Sequence, residues 1–258
     1  MSDSNACPVL VEKRGAVLMI AINRPRQRNA VNRAVSLAIA AALDRLDADA
    51  ALRIGVITGQ GGCFCSGMDL KAFVDGERPE LEGRGFAGAT ERSTNKPLIA
   101  AVEGFALAGG CELALACDLI VAAEDAMFGL PEVSLGLVAG SGGLVRLPRR
   151  IPEAIALEYA LTGERMDAPT AHGWGLVNRL APSGSALDAA ILLAERIAAN
   201  APLAVAMTKR IMRESRDWPA DEMWQRQRPL AESVIGSADA VEGARAFAEK
   251  RIPRWSGR

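Results

Sequence analysis

The sequence has few aromatic residues and almost no histidine. Phe, Trp and Tyr together make up 4% of its 258 positions, with one tyrosine and one histidine. Ala, Leu, Val and Ile must therefore fill the core, and a hydrophobic content of 50% supplies enough of them. A Ser-His-Asp triad would have to use His172, and no Gly-x-Ser-x-Gly turn accompanies it. Gly140-Ser-Gly142 comes nearest and has the wrong spacing. His172 reads as a structural residue at a helix end. Charge of one sign is also missing: 30 basic and 31 acidic residues give a net −1. There is no basic stripe of the kind nucleic acids select, so no nucleic-acid partner is expected. The short clusters Arg24–Arg28 and Arg146–Arg150 read as solvated surface.

No apolar run reaches the roughly 20 residues that a membrane span needs. The polar, acidic start Met1-Ser-Asp-Ser-Asn5 is unlike a leader peptide. Five cysteines, an odd number in a chain of this length, argue against a disulfide framework. Cys63-x-Cys65 lacks the second half of a zinc site, so reduced thiols and no metal are expected. Together these features predict a cytoplasmic protein.

The chain pattern is mixed α/β. Val17–Ile22, 53–58, Pro97–Val102 and 119–122 read as strands. Asn32 caps a predicted helix over 33–47, and Gly109–Ala116 reads as a short helix. Residues 71–95 are polar and glycine-containing and read as a mobile segment. Helices are expected over 141–147, 153–161, 169–173, 186–199, 202–215, 221–233 and 239–250. A boundary falls near Asn200-Ala-Pro202. The remaining ~60 residues are too few for an independent core, so they are expected to pack on the first part or on a neighbouring subunit.

Chemistry concentrates in three glycine-bearing stretches. Ala108-Gly-Gly-Cys-Glu112 opens a helix, so unpaired N–H groups and the positive end of the macrodipole point outward there. Such donors can stabilise charge growing on a carbonyl oxygen. Phe64-Cys-Ser-Gly-Met-Asp-Leu70 offers a second turn, with Gly67 permitting it and Met68 N–H as donor. Phe128-Gly-Leu-Pro-Glu132 brings a second carboxyl. Two carboxyls in one pocket can be split in pKa, so that one donates while the other accepts. Each stretch alone also fits a plain strand–turn–helix junction, with Glu112 as a capping carboxylate and Glu132 as an acidic first turn. No Gly-x-Gly-x-x-Gly lies between a strand and a helix, and no phosphate loop is present.

Taken in order, these stretches, with Asn23-Arg-Pro25, Asn29-Ala30, Gly104-Phe-Ala-Leu107, Leu113-Ala-Leu-Ala-Cys-Asp118, Gly140-Ser-Gly-Gly143 and Gly175-Leu-Val-Asn178, resemble the enoyl-CoA hydratase/isomerase (crotonase) family along essentially the whole chain. The resemblance implies a spiral of ββα repeats over residues 1–200 and a C-terminal helical region over 201–258 that builds a homotrimer or a hexamer. It places the oxyanion-hole donors at Met68 and Gly109 and the catalytic carboxyls at Glu112 and Glu132. It assigns Ala30, Ser66 and Leu70 to backbone contacts with the CoA adenine, Arg26 and Arg28 to the CoA phosphates, and Lys250 to CoA from the C-terminal region. Arg26 and Arg28 fit a solvated loop nearly as well. The implied activity is hydration of a 2-enoyl-CoA, with coenzyme A as part of the substrate and no separate cofactor. The alternatives are a 3-enoyl to 2-enoyl isomerase using Glu132 alone, a carnitine-type acyl-CoA dehydratase, and a CoA- or RNA-binding scaffold. Met68 is bulkier than the small residue many hydratases carry, and Ala139 stands where many members have proline.

Overall fold

The computed structural model describes residues 7–258; the polar start Met1–Asn5 lies outside the described residues. β1 (Val9–Arg14) and β2 (Val17–Ile22) form a hairpin around Gly15, whose φ of 57° suits glycine. α1 (Arg33–Ala48) begins at Asn32, whose side chain accepts the Val35 N–H at 3.2 Å. β3 (Ile54–Gly59) leads to the first glycine loop and to α2 (Leu70–Val74), capped by Asp69. β4 (Leu98–Val102), β5 (Phe105–Leu107) and α3 (Gly109–Ala116) follow, then β6 (Leu119–Ala123) and β7 (Met127–Gly129). The units β1-β2-α1 and β4-β5-α3 carry the expected ββα repeat.

The six-stranded sheet has the order β1-β2-β3-β4-β6-β9, with β9 spanning Arg179–Ala181. Only its β1–β2 pair is antiparallel; the other pairs are parallel. A parallel sheet is buried on both faces, and the residues divide with a period of two. Leu18, Ile20, Ile22, Ile57, Ala100, Val102, Ile120 and Ala122 join the core that includes α1. Val17, Ile54, Val56, Ile99, Ala101 and Val121 pack on the other face against Ala190 and Ala194. These two alanines lie on a later helix, α7 (Ala186–Ala198). A smaller sheet has the order β5-β7-β8, with β8 spanning Arg165–Asp167.

Past β7 the chain is mostly helical. α4 (Gly143–Arg146) is shorter than the sequence suggests, because Pro148 turns the next residues into a 3-10 turn. α5 (Glu153–Thr162), β8 (Arg165–Asp167), α6 (Ala168–Gly173) and α7 (Ala186–Ala198) complete the core region. His172 ends α6 with Nδ1 2.9 Å from the Val177 carbonyl, which fits its structural assignment. α8 (Pro202–Glu214), α9 (Met223–Ile235) and α10 (Ala238–Ala248) form the C-terminal part. α8 and α9 contain no buried residue. α8 is nevertheless pinned to the first part: Asp118, beside α3, pairs with Lys209 at 2.8 Å and with Arg213 at 2.7 Å. Among the described residues no single helix is long and apolar enough to cross a membrane.

Two further sequence expectations are revised. Residues 71–95 are not a loose segment throughout: Phe86, Ala87, Gly88, Ala89 and Thr90 are buried, and a Cβ on Gly88 would press on Ala40 of α1. The Arg146–Arg150 cluster is not simply solvated. Arg150 donates to the Cys117 carbonyl at 2.6 Å, and Arg146 donates to Ser141 at 3.2 Å and to Thr90.

Candidate active site

The first glycine loop is knitted to β5. Cys65 N–H donates to Phe105 O at 2.9 Å, and Leu107 N–H donates to Cys65 O at 3.0 Å. This pairing carries Gly67 and Met68 to the start of α3. A Cβ on Gly67 would lie 3.2 Å from Gly109 N and 2.9 Å from the Ala108 Cβ, so the two predicted donor loops abut. Gly110 is held closer still, since a Cβ there would overlap the Cys65 carbonyl. Ala108 adopts φ 50° and ψ −129°, a costly conformation for an L-residue, and its N–H is fixed on Gly129 O at 2.9 Å. Strain of this kind persists where neighbouring structure imposes it. Here it lies at the N-cap of α3, against the Gly67 turn that precedes Met68. Neither the Met68 N–H nor the Gly109 N–H donates a hydrogen bond to any described residue. Phe86 covers Gly109, its ring 2.6 Å from where a Cβ would stand.

Glu112 sits in the first turn of α3 and is 3% exposed. Its Oε1 accepts the Gly143 N–H at 2.9 Å. Burial pushes its pKa up, while the Gly143 and Ser141 hydrogen bonds and the positive charge of Arg146 oppose that rise. Glu132 lies in the 3-10 turn Pro131–Leu135 that follows β7. Its Oε2 is buried with no hydrogen-bond partner among the described residues. Burial raises its carboxyl pKa to about 7; its own backbone N–H opposes this, and the charge of Glu112 adds to it. The pair therefore comprises one carboxyl held by the Gly143 and Ser141 donors and one whose Oε2 has no partner among the described residues. A buried pair of this kind can carry a single proton near neutral pH and pass protons at two different atoms.

The remaining predicted positions fall into two groups. Residues 28–31 and 66–69 run side by side: Ser66 N–H donates to Arg28 O at 3.0 Å, Val31 N–H to Gly67 O at 2.8 Å and Asp69 N–H to Val31 O at 2.9 Å. Arg24 clamps them, donating to Ala30 O at 2.6 Å and pairing with Asp69 at 2.8 Å. Buried Asn29 takes the left-handed conformation and donates to the Gln60 carbonyl at 2.9 Å. Ala30, Ser66, Met68 and Leu70 thus share one ridge beside the donor loops, with Arg26 and Arg28 exposed on its approach. Lys250 stands apart, just beyond α10. No hydrogen bond among the described residues ties α10 to the ridge.

Sequence reasoning missed Phe86 and Arg146. Phe86 lies in a stretch with no apolar periodicity. Arg146 sits three residues past the glycine pair Gly142-Gly143, and that spacing was its only signal.

Residues 12–258 match the family model described as enoyl-CoA hydratase/isomerase. The chain belongs to the enoyl-CoA hydratase/isomerase family. Within it, the chain is similar to a carnitinyl-CoA dehydratase of Proteus mirabilis, 45% identical over 95% of this chain and 97% of the relative. Among solved structures it superposes on an enoyl-CoA hydratase from Mycobacterium marinum with a TM-score of 0.97 and 62% identity, covering 98% of this chain and all of that one. A carnitinyl-CoA hydratase from Mycobacterium avium gives a TM-score of 0.80 at 47% identity, with coverage of 98% and 100%. The fold is accordingly the crotonase-type α/β fold with C-terminal helices. An acyl-CoA thioester is the substrate class consistent with that family.

Proposed function

We propose that this protein is a hydro-lyase of acyl-CoA thioesters, reversibly adding water across a 2,3 double bond, with a carnitinyl-type acyl group as its substrate. The observation that carries the reaction class is the unpartnered Glu132 Oε2 beside Glu112, whose own carboxylate is held by Gly143 N–H. An isomerase working with Glu132 alone would have no use for a second, positioned carboxyl. The names of the curated relatives favour the carnitine-type alternative over a plain fatty-enoyl substrate, and the Mycobacterium avium structure agrees with them.

The geometry supports the following mechanism. The thioester oxygen lies between Met68 N–H and Gly109 N–H, where the first turn of α3 favours growing negative charge. In hydration, Glu112 carboxylate takes a proton from water as the oxygen attacks the β-carbon. Glu132, protonated, gives its proton to the α-carbon. The pair begins and ends with one proton, so dehydration runs through the same atoms in reverse. Ala30, Ser66 and Leu70 border the CoA adenine, Arg26 and Arg28 its phosphates, and Lys250 reaches CoA from the C-terminal region. The helices beyond residue 200 assemble a homotrimer or a hexamer.

Loss of enone absorbance tests this with two substrates, crotonyl-CoA and 4-(trimethylammonio)but-2-enoyl-CoA. A higher kcat/KM for the charged substrate supports the proposal. Preference for crotonyl-CoA would make the protein a plain enoyl-CoA hydratase, and no hydration of either would remove the hydro-lyase assignment.

A further inference from the structure

Arg146 closes α4, and its side chain folds back along its own helix. It lies over Gly142, where a Cβ would collide with Nη1, and Gly142 takes φ 100°. Nη1 donates to the Ser141 carbonyl at 3.2 Å, and Nη2 donates to the Thr90 carbonyl. Those two carbonyls belong to two different segments of the site. Ser141 opens the turn whose Gly143 N–H holds Glu112. Thr90 ends the buried stretch that begins with Phe86, and Phe86 packs on the donor Gly109. One planar guanidinium therefore spans the gap between the carboxyl wall and the oxyanion wall. A planar fork with separate nitrogens suits two carbonyls that lie in different directions.

We propose that Arg146 is a positioning residue for the two-glutamate site: it fixes the Ser141–Gly143 turn on Glu112 and fastens that turn to the Phe86–Thr90 wall over Gly109. The inference rests on the reaction proposed above. It also supplies a charge. Arg146 stays protonated across working pH and opposes the rise that burial imposes on Glu112. The other titratable groups around Glu112 are Glu132 on the neighbouring turn and Cys111 on α3 itself. β5 and the Phe86–Gly88 turn, which also pack on α3, contribute no titratable side chain. Around Arg146 stand Arg213, Arg149 and Cys117.

The test is the pH profile of kcat/KM for enoyl-CoA hydration, with kcat and KM separated, in Arg146→Gln and Arg146→Lys. Arg146→Gln should lower kcat by about tenfold or more while KM changes by less than about threefold. Both limbs of its profile should move to higher pH, because the carboxyl pair loses a neighbouring positive charge. Arg146→Lys should keep the limbs near the parent's yet lose more than about half of kcat, since one ammonium nitrogen must replace two guanidinium nitrogens that each serve a different carbonyl. Unmoved limbs in Arg146→Gln, or parental kcat in Arg146→Lys, would overturn the proposal. If Arg146→Gln does not fold, the lysine variant decides by the same criterion. Glu112→Gln is measured alongside. Full turnover in that variant would mean that the two-glutamate reaction is wrong. Lost turnover there, with an unchanged Arg146→Gln profile, would sink the positioning role alone.

Discussion

Glu112 and Gly143 are fitted to one another: the Gly143 N–H donates to Oε1 at 2.9 Å, and a Cβ on Gly143 would stand 3.0 Å from Cγ and 3.1 Å from that oxygen. The residue that holds the carboxyl must be the smallest one. Gly143→Ala keeps an accessible helical backbone but pushes Glu112 by a few tenths of an ångström. Misplacing a catalytic group by ~1 Å can cost about 10²-fold, so a loss of roughly tenfold in kcat with little change in KM is expected. Steady-state kinetics on an enoyl-CoA check this, and parental kcat would show that the contact does not set the carboxyl's position.

Burying the Glu132 carboxyl has a cost to folding. Its pKa is raised from the ordinary 4.5 to about 7 in the folded chain, so the native state binds that proton more tightly than the unfolded one. The sign follows: this group's contribution declines as pH rises from about 4.5 to about 7 and is level beyond. Glu132→Gln removes the charge. Its Tm should exceed the parent's above pH 7, and the gap should close toward pH 4. Thermal melts across that range measure it; a gap that is constant with pH would mean that Glu132 is not held neutral by burial.

Gly110 and Gly62 make a matched pair. At Gly62, φ is 76° and nothing lies within 4 Å, so Gly62→Ala should cost only backbone strain, about 1–2 kcal/mol. At Gly110 a Cβ overlaps the Cys65 carbonyl, the group that pairs the first glycine loop to β5. Gly110→Ala should be the more destabilising and should also abolish turnover. Urea unfolding and activity on both variants decide, and equal midpoints would contradict the close approach of the two loops.

Much of this was legible in the sequence. Six-residue β2 and β3, β4 and the Asn32-capped α1 carry strong local signals, and the structure places them within a residue or two of the expected bounds. The strands β5, β7 and β8 have three residues each, too few for alternation to register. β1 alternates poorly because it is an edge strand exposed beyond Val9. The burial of Phe86–Thr90 comes from contacts with α1 and α3 that are distant in sequence. Glu112, Glu132, Gly67 and Gly109 could be picked out because each sits at a glycine or proline punctuation mark. Arg146 could not, because its meaning depends on the Thr90 carbonyl, 56 residues earlier.

Asp118 tests how the C-terminal helices are attached. It is largely buried and shared by Lys209 and Arg213 of α8. Asp118→Asn leaves the largely buried side chain of Lys209 without its counter-charge, and breaking a buried pair costs about 3–5 kcal/mol. Chemical denaturation should show a loss of that order. Size-exclusion chromatography with light scattering on the parent should give a trimer or hexamer, and a monomer would remove the proposed role of residues 201–258 in assembly.

In the proposed reaction Glu112 and Glu132 together move the two protons of hydration. The most direct measurement is kcat for hydration of the preferred enoyl-CoA by Glu112→Gln and by Glu132→Gln, with CoA-ester binding followed separately. Amides keep the size but cannot exchange the proton, and a positioned acid or base contributes about 10²–10⁴-fold. Each variant should lose activity by that factor while binding the thioester nearly as well as the parent. Near-parental turnover in either one would contradict the account.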